Sequence, residues 1–500
     1  MSDYNVIVIG AGCGGLSAGA QLAKNGRKVL VLEQTERIGG CCSTYEQEGF
    51  RFDIGASIVE APDLLNRAFG RLGTTLEKEV DLIECDPIYT VILQDGSRIT
   101  IPKSMAGTED AIRAHEPDDV EGWRKYSTLM DNFRNTLNDF FTSPVLTLSD
   151  MGKIIKDSPA MLKYGSLFIS SYQDVLNKYF KNEKVKESMA YQTFFIGLPP
   201  ELAPGIFAVI PFQEHDGLYY VRGGMIGIPE ALRRCGEKEG MEVRLKTKVK
   251  KVIIRNKRAV GVKLEDGTEI SADVVVSDIN AKTLYLEMIG EDQLPWLARI
   301  GIKSYETAIA VPMLYLGVNY TPPLNSHHTL VTVPMEEMND FWWTDYRTGG
   351  FTRRQFAIVS WTSQSDPKLA PKGKHVLILT LPPSLRTCGN RSWDEAKPEM
   401  IEKYIDYYSK RAIPGLKEHV DVAELATPLD FERRLGTPDG AIYALRQDML
   451  NETVLRPAAK SKSLEGLYLV GASTHPGGGV PTTIASGIIA TDLIEKYEKK

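Results

Sequence analysis

Three glycines near the start of the chain, Gly10, Gly12 and Gly15, constrain the fold more than any other feature. They stand between a short apolar run, residues 5–9, and a segment with helical spacing through Leu16, Ala20 and Ala23 that ends at Gly26. Each glycine answers a separate demand. The first permits a tight turn, the second lets main chain approach a pyrophosphate, and the third lets helix and strand pack closely. The helix start then offers free N–H groups and the positive end of its dipole to an anion. Residues 29–33 form the next apolar run and close on Glu33, whose carboxylate can accept both hydroxyls of a ribose. Strand, glycine turn, helix, strand and terminal acid make one βαβ unit of the dinucleotide-binding kind.

The rest of the chain narrows the class. With 500 residues there is room for two or three domains. A net charge of -6 argues against nucleic acid as a partner, because phosphate-binding surfaces need a basic excess. The six cysteines (Cys13, Cys41, Cys42, Cys85, Cys235 and Cys388) have no zinc or iron–sulfur spacing, so no metal is expected. The first residues read as strand and turn rather than as a signal peptide, and no apolar run is long enough to span a bilayer. A cytoplasmic protein is expected, either soluble or bound peripherally to a membrane.

Residues 104–195 read as mostly helical, with apolar positions at Trp123, Leu129, Phe133, Leu137, Phe140 and Phe141. A sheet pattern returns near Gly217, a helix is predicted over 227–240, and 241–254 alternates as one strand. Asp266-Gly267 signals a hairpin before a buried strand at 272–279. Several strand-like runs between 300 and 382 predict a mostly antiparallel sheet. A helix over 393–410 and a closing strand–loop–helix follow. Without linkers or repeats, discontinuous domains are expected. One unit comprises 1–100, 217–300 and 425–500. The other comprises 104–216 and 300–424.

Further motifs lie outside the βαβ unit. Arg37, Gly39 and Gly40 follow Glu33 at the spacing E-x-x-x-R-x-G-G, and "FRFDIGAS" (50–57) comes after them. "YYVRGGMIGIPEALRRCGEKEGMEVRLKTKVKKV" occupies 219–252, and "GLYLVGASTHPGGGVPTTIASG" occupies 466–487. On these four motifs, spread over nearly the whole chain, the sequence resembles the phytoene desaturase-like flavoproteins, relatives of the amine oxidase and glutathione reductase-type FAD enzymes. The resemblance implies an α/β fold: a Rossmann-like FAD-binding domain of that type, with a discontinuous α+β substrate domain and a helical subregion. It implies FAD as cofactor, held by Gly10, Gly12, Cys13, Gly14 and Gly15 at the pyrophosphate and by Glu33 and Gln34 at the ribose. Arg37, Gly39, Gly40, Gly55 and Ala56 would lie beside the pyrophosphate and flavin. The backbone of Val249 would touch the adenine. Gly471 and Ala472 would meet the ribityl chain, and Gly478, Gly479, Val480 and Pro481 would face the flavin ring. Many flavoproteins carry an acid directly after the strand's glycine, where this chain has Ala472-Ser473.

The resemblance also implies an enzyme that desaturates, saturates or isomerises carbon–carbon bonds of a carotenoid, isoprenoid or other polyene lipid, with hydride transfer at flavin N5. Quinone or oxygen would take the electrons. Two alternatives stay open: a flavin amine oxidase on a soluble amine, and a non-catalytic FAD- or prenyl-lipid-binding protein. No catalytic side chain is assigned. Arg222, where the family more often has proline, points either at a polar substrate end or at solvent. Cys41-Cys42 is similar to the retinol saturase and carotenoid isomerase branch, but two packed thiols account for it. His475 lies in the flavin loop. Phe140, Phe141 and Phe168 are candidates for a channel wall or for ordinary core. Residues 161–176 are the candidate apolar patch for a membrane surface.

Overall fold

The computed structural model describes residues 2–144, 150, 152, 156, 159–448 and 456–499, and the side chains of Leu137, Phe140 and Met161 lie outside the described set. Two seven-stranded sheets organise the chain. The first begins with β1 (Tyr4–Ile9), followed by α1 (Cys13–Lys24) and β2 (Val29–Leu32). β1 runs parallel to β2 and, on its other side, to the strand Glu269–Ser277, whose end in turn pairs with Leu467–Leu469. The stretches 6–9, 29–32, 274–276 and 467–469 of these strands are buried and apolar because both faces are covered, as parallel sheets require. α1 packs against the closing helix Val480–Tyr497, where Ser17 Oγ donates to the Ile484 carbonyl at 2.9 Å.

Register decides where a ligand can sit. Ile9 stands opposite both Leu32 and Ser277, and Ser277 stands opposite Leu469. Four strands therefore end at one level. The residues just beyond them, Gly10, Glu33, Asp278 and Gly471, meet at the carboxyl edge of the sheet, where open α/β sheets bind ligands. Gly10 turns there with φ +98°, a conformation that favours glycine. A Cβ on Gly15 would lie 2.3 Å from the Gly10 carbonyl oxygen, so helix and turn can close only on glycine.

The second sheet is mixed and mostly antiparallel: Val420–Ala426, Met313–Val318, His375–Thr380, Ala357–Ser360, His328–Val331, Tyr89–Ile92 and Arg98–Ile101, in that order. Helices and turns between Met105 and Asp216, the longest of them Val120–Thr142, lie beside it. Thus residues 89–101, expected with the nucleotide-binding part, hydrogen-bond into the other sheet.

Two further expectations change. The alternating stretch 241–254 is not one strand. Glu242–Arg244 pairs with β2, whereas Val249–Arg255 pairs with Arg258–Leu264 at the opposite edge. Between them the chain wraps the end of β2: Lys246 N donates to the Thr35 carbonyl and Thr247 N to that of Glu33, with Lys246 at φ +51°. The alternation records half-exposure along both pieces, and its lysines lie on sheet edges facing solvent. Near Gly217 the strand Tyr219–Val221 pairs antiparallel with Leu82–Glu84 in a separate two-stranded sheet. The hairpin at Asp266-Gly267 and the helices Gly227–Lys238 and Trp393–Arg411 form as predicted.

Candidate active site

A cavity of about 870 Å³ opens at the carboxyl edge of the first sheet and reaches the face of the second. Its nucleotide end is walled by backbone. Gly10, Gly12, Cys13 and Gly14 line it, with Glu33, Gln34, Arg37, Gly39 and Gly40 opposite. The two glycine runs are docked together: Gly39 N donates to the Ala11 carbonyl at 2.7 Å, and a Cβ on Gly40 would meet nothing nearer than Gly12 Cα at 3.9 Å. Gly12 is the N-cap of α1 and carries no side-chain cap. Glu33 is fixed by Ala11 N, which donates to Oε2 at 3.0 Å, and by Thr35 N, which donates to Oε1 at 2.9 Å. Thr35 Oγ1 also donates to Oε1 at 2.9 Å, so Oε2 is the oxygen that keeps a lone pair for a further donor.

At the other end of the chain, Gly471 stands at φ +80°, and Ala472, Gly478, Gly479, Val480 and Pro481 line the cavity. Gly478 N donates to Gln447 Oε1 at 2.9 Å. Gly479 caps the closing helix, which begins at Val480 and has Pro481 in its first turn, so the positive end of its dipole faces the cavity. Gly55 and Ala56 are tied to Cys41, whose carbonyl accepts from Ala56 N at 3.1 Å. Val249 also lines the cavity. Gly15 and Gly471 stand just behind the wall and shape it through packing. A Cβ on Gly14 would lie 2.6 Å from Gly471 N, so the two chain ends touch beneath the site.

The arrangement fits FAD on three observations. A cleft bare of side chains runs between the two glycine runs at a helix start. A pre-positioned carboxylate stands one strand over. A second helix start lies further along, suited to stabilise negative charge on a reduced flavin.

Several groups escaped the sequence reading. Asp278 lies under the pyrophosphate turn, where its Oδ2 accepts from Gly15 N at 2.9 Å. Burial lifts its carboxyl to about 7, and the Glu33 charge adds to the rise. Arg434, half-buried in the cavity wall, is held below the usual arginine range by burial. The two signals that would have found Asp278 are its place one residue past a buried strand and its spacing from the hairpin. Arg434 had none, because its helix lies far from the motifs.

The remaining candidates resolve. Arg222 pairs with Asp81 at 2.6 Å on the surface, away from the cavity. Cys41 and Cys42 line the wall as protonated thiols. Burial raises Cys41 to about 11. A hydrogen bond with Cys13, together with burial, raises Cys42 well above its ordinary value. His475 is buried. Phe141 lines the cavity, whereas Phe168 packs in the core against Phe133. Among the described residues no cluster of His, Cys, Asp and Glu is arranged to hold a metal ion.

Beyond the glycine cradle the wall turns apolar. Leu64, Phe141, Phe194, Phe195, Ile206, Phe207, Val209 and Ile210 come from the helical side, and Met313, Ile358 and Thr380 from the second sheet. Thr380 stands opposite both Met313 and Ile358, so these three form one contiguous floor.

Fold and cavity together define an FAD-dependent oxidoreductase of two sheets with the cofactor cleft between chain ends. The chain belongs to the flavin-containing amine oxidoreductase family, whose model matches residues 13–494. It is 29% identical to the neurosporene-forming phytoene desaturase of Rhodobacter capsulatus over 99% of this chain and 94% of that one. It is 27% identical to the 4,4'-diapophytoene desaturase of Staphylococcus haemolyticus over 99% of each. Among solved structures it resembles an oxidoreductase from Methanosarcina mazei (TM-score 0.63, 18% identity, 98% of this chain and 100% of that one). It also resembles putrescine oxidase with putrescine bound (TM-score 0.63, 14% identity, 98% of each). These structural likenesses bear on the fold alone.

Proposed function

We propose that this protein is an FAD-dependent desaturase of an acyclic polyene isoprenoid. The observation that carries the reading is the change of wall along one cavity, from a glycine-built cofactor cradle to an apolar chamber lined by phenylalanines and aliphatic residues. Long-chain relatives named as phytoene and diapophytoene desaturases support it. The bound flavin supplies a two-electron acceptor. The chain does the rest. Glu33, Arg37 and the two helix starts hold the nucleotide, and the apolar chamber excludes water and aligns the chain of the substrate.

In this reading the first sheet forms the cofactor unit. The second sheet with the helical region, including residues 89–101, forms the substrate unit. The nineteen residues implied by the resemblance are the cofactor contacts, with Gly15 and Gly471 acting through backbone packing. Substrate arrives from a membrane surface. Leu162 and Ile169, 69% and 89% exposed within the stretch 161–176, are the contact we assign to it. Among the described residues no helix is long and apolar enough to cross a membrane. A quinone or oxygen reoxidises the flavin.

The test is reconstitution of the FAD-loaded protein with vesicles carrying phytoene or diapophytoene. Chromatography is expected to show products with additional conjugated double bonds. Unchanged polyene, with an amine oxidised instead, would overturn the reading. Vesicle sedimentation of the double variant L162S/I169S should leave more protein in the supernatant than the wild type does.

A further inference from the structure

Glu60 faces the inner part of the cavity, and a second carboxyl group, that of Glu214, lies buried within reach of its charge. Glu60 lines the wall beside Leu64, Phe207 and Tyr443. Its backbone is held on both sides. Val59 forms a two-way bridge with Tyr219, with N···O distances of 2.7 and 3.1 Å, and Ala61 turns into the helix Pro62–Arg71 with φ +46°. A non-glycine residue in that region is strained, and such strain concentrates at functional positions. Behind Glu60 lies Glu214, 2% exposed, whose Oε2 accepts from Gln192 Nε2 at 2.9 Å.

Among the described residues no cation pairs with either carboxyl. Burial and the Glu60 charge act on Glu214 against the hydrogen bond from Gln192, and the titratable groups that feel the two carboxyls are tyrosines: Tyr89, Tyr126 and Tyr172 feel Glu214, and Tyr443 feels Glu60. Two like charges in one apolar pocket cannot both ionise. Burial lifts Glu60 to about 7. Burial and the Glu60 charge drive Glu214 well above its ordinary value. Near pH 7 the Glu60 carboxyl, which faces the cavity, is therefore about half ionised, while Glu214 stays protonated.

Tyr443, which feels the Glu60 charge, packs against Gly478, where its Cδ1 would lie 2.7 Å from an added Cβ. Glu60 is thus at the junction of the flavin-facing loop and the apolar chamber. An apolar chamber has no use for a carboxylate as a packing group, since burying one without a partner costs several kcal/mol by itself. Dehydrogenation does have a use for it.

We propose that Glu60 is the proton acceptor of the desaturation, with Glu214 as the positioning partner that holds the second proton. The inference rests on the desaturase reading. In the step, one allylic C–H bond breaks and its electron pair leaves as hydride to the oxidised flavin, which takes up two electrons. The neighbouring C–H bond breaks toward the carbon, its pair becomes the new π bond, and its proton forms an O–H bond on Glu60. The proton leaves to solvent before the next turnover.

The test uses full-length FAD-loaded protein and two readouts. In the first, wild type, E60Q and E214Q are titrated between pH 5 and 9 without substrate, and protonated carboxyl bands are followed by infrared difference spectroscopy. Wild type should show a carboxyl titrating near 7 that E60Q removes. In E60Q the Glu214 band should titrate at lower pH than in wild type, because the like charge is gone. E214Q should lose that second band.

In the second readout, flavin reduction by phytoene in vesicles is followed anaerobically. Wild type should speed up as pH rises through about 7. E60Q should keep its flavin and its polyene affinity, read by fluorescence quenching. Its reduction should slow by about 100-fold or more, without the rise with pH. E60D should recover part of the rate.

Reduction of E60Q at the wild-type rate and pH profile would overturn the inference while leaving the desaturase reading intact. So would a wild type without a carboxyl titrating near 7. Failure of the wild type to be reduced by any polyene would instead overturn the desaturase reading.

Discussion

At its nucleotide end the cavity is made of main chain, and at its inner end it is made of side chains. Gly10, Gly12, Gly39 and Gly40 leave a bare cleft whose contacts are N–H groups and one aimed carboxylate. Phe194, Phe195, Phe207, Met313 and Ile358 fill the other end with apolar bulk, interrupted by the Glu60 carboxyl. The difference separates two jobs. A backbone cradle tolerates almost no substitution, because an added Cβ at Gly12, Gly14 or Gly15 meets another part of the chain and Gly10, Gly39 and Gly40 stand at positive φ. A side-chain wall can be recut for a different substrate while the cradle stays intact. Mutations at the two ends should therefore fail in different ways.

The largest effect should come from G14V. Its Cβ would lie 2.6 Å from Gly471 N, and overpacking of that kind costs about 1–3 kcal/mol or more. Flavin retained after gel filtration should fall by about tenfold or more, together with a lowered melting temperature. Glu33→Gln comes next. Losing one charged acceptor costs about 1.5–3 kcal/mol, so the Kd for FAD should rise by about tenfold to 100-fold, with polyene binding to the loaded protein unchanged.

At the inner end the signature reverses. F207S should keep its full flavin content, whereas the KM for polyene should rise by about tenfold, the scale of burying one aromatic side chain. A drop in flavin content in F207S would break the comparison.

A smaller effect sharpens it. Asp278 titrates at about 7 under the site of the pyrophosphate. It is neutral below that pH and anionic above it, so its charge opposes a phosphate only at higher pH. FAD affinity should weaken by about threefold to tenfold between pH 6 and 8, and Asp278→Asn should flatten the profile. The smallest effect is expected at Arg222. Its exposed pair with Asp81 contributes about 0–1 kcal/mol, so R222A should leave flavin content and turnover unchanged.

The same contrast explains what the sequence disclosed. The cradle was legible because backbone geometry forces residue type: only glycine fits at Gly10 and Gly15, and the spacing to Glu33 follows from strand and helix lengths. The closing motif was legible for the same reason at Gly471 and Gly479, both at positive φ. The strand 241–254 misled because alternation reports exposure, and a chain bending around the end of β2 can keep the alternation while changing partners. Residues 89–101 misled because pairing with His328–Val331 is long-range and leaves no local trace. Glu60, Glu214 and Arg434 were invisible for a related reason. Each is an ordinary charged residue in its own stretch and gains meaning only from neighbours brought by folding.

The central claim is that the cradle and the apolar chamber serve one reaction, in which a polyene reduces the flavin. Anaerobic mixing of the loaded protein with phytoene-bearing vesicles tests it most directly. The account predicts loss of the oxidised flavin absorbance, with one new carbon–carbon double bond per flavin reduced. Flavin that stays oxidised with the polyene but is reduced by a soluble amine would contradict it.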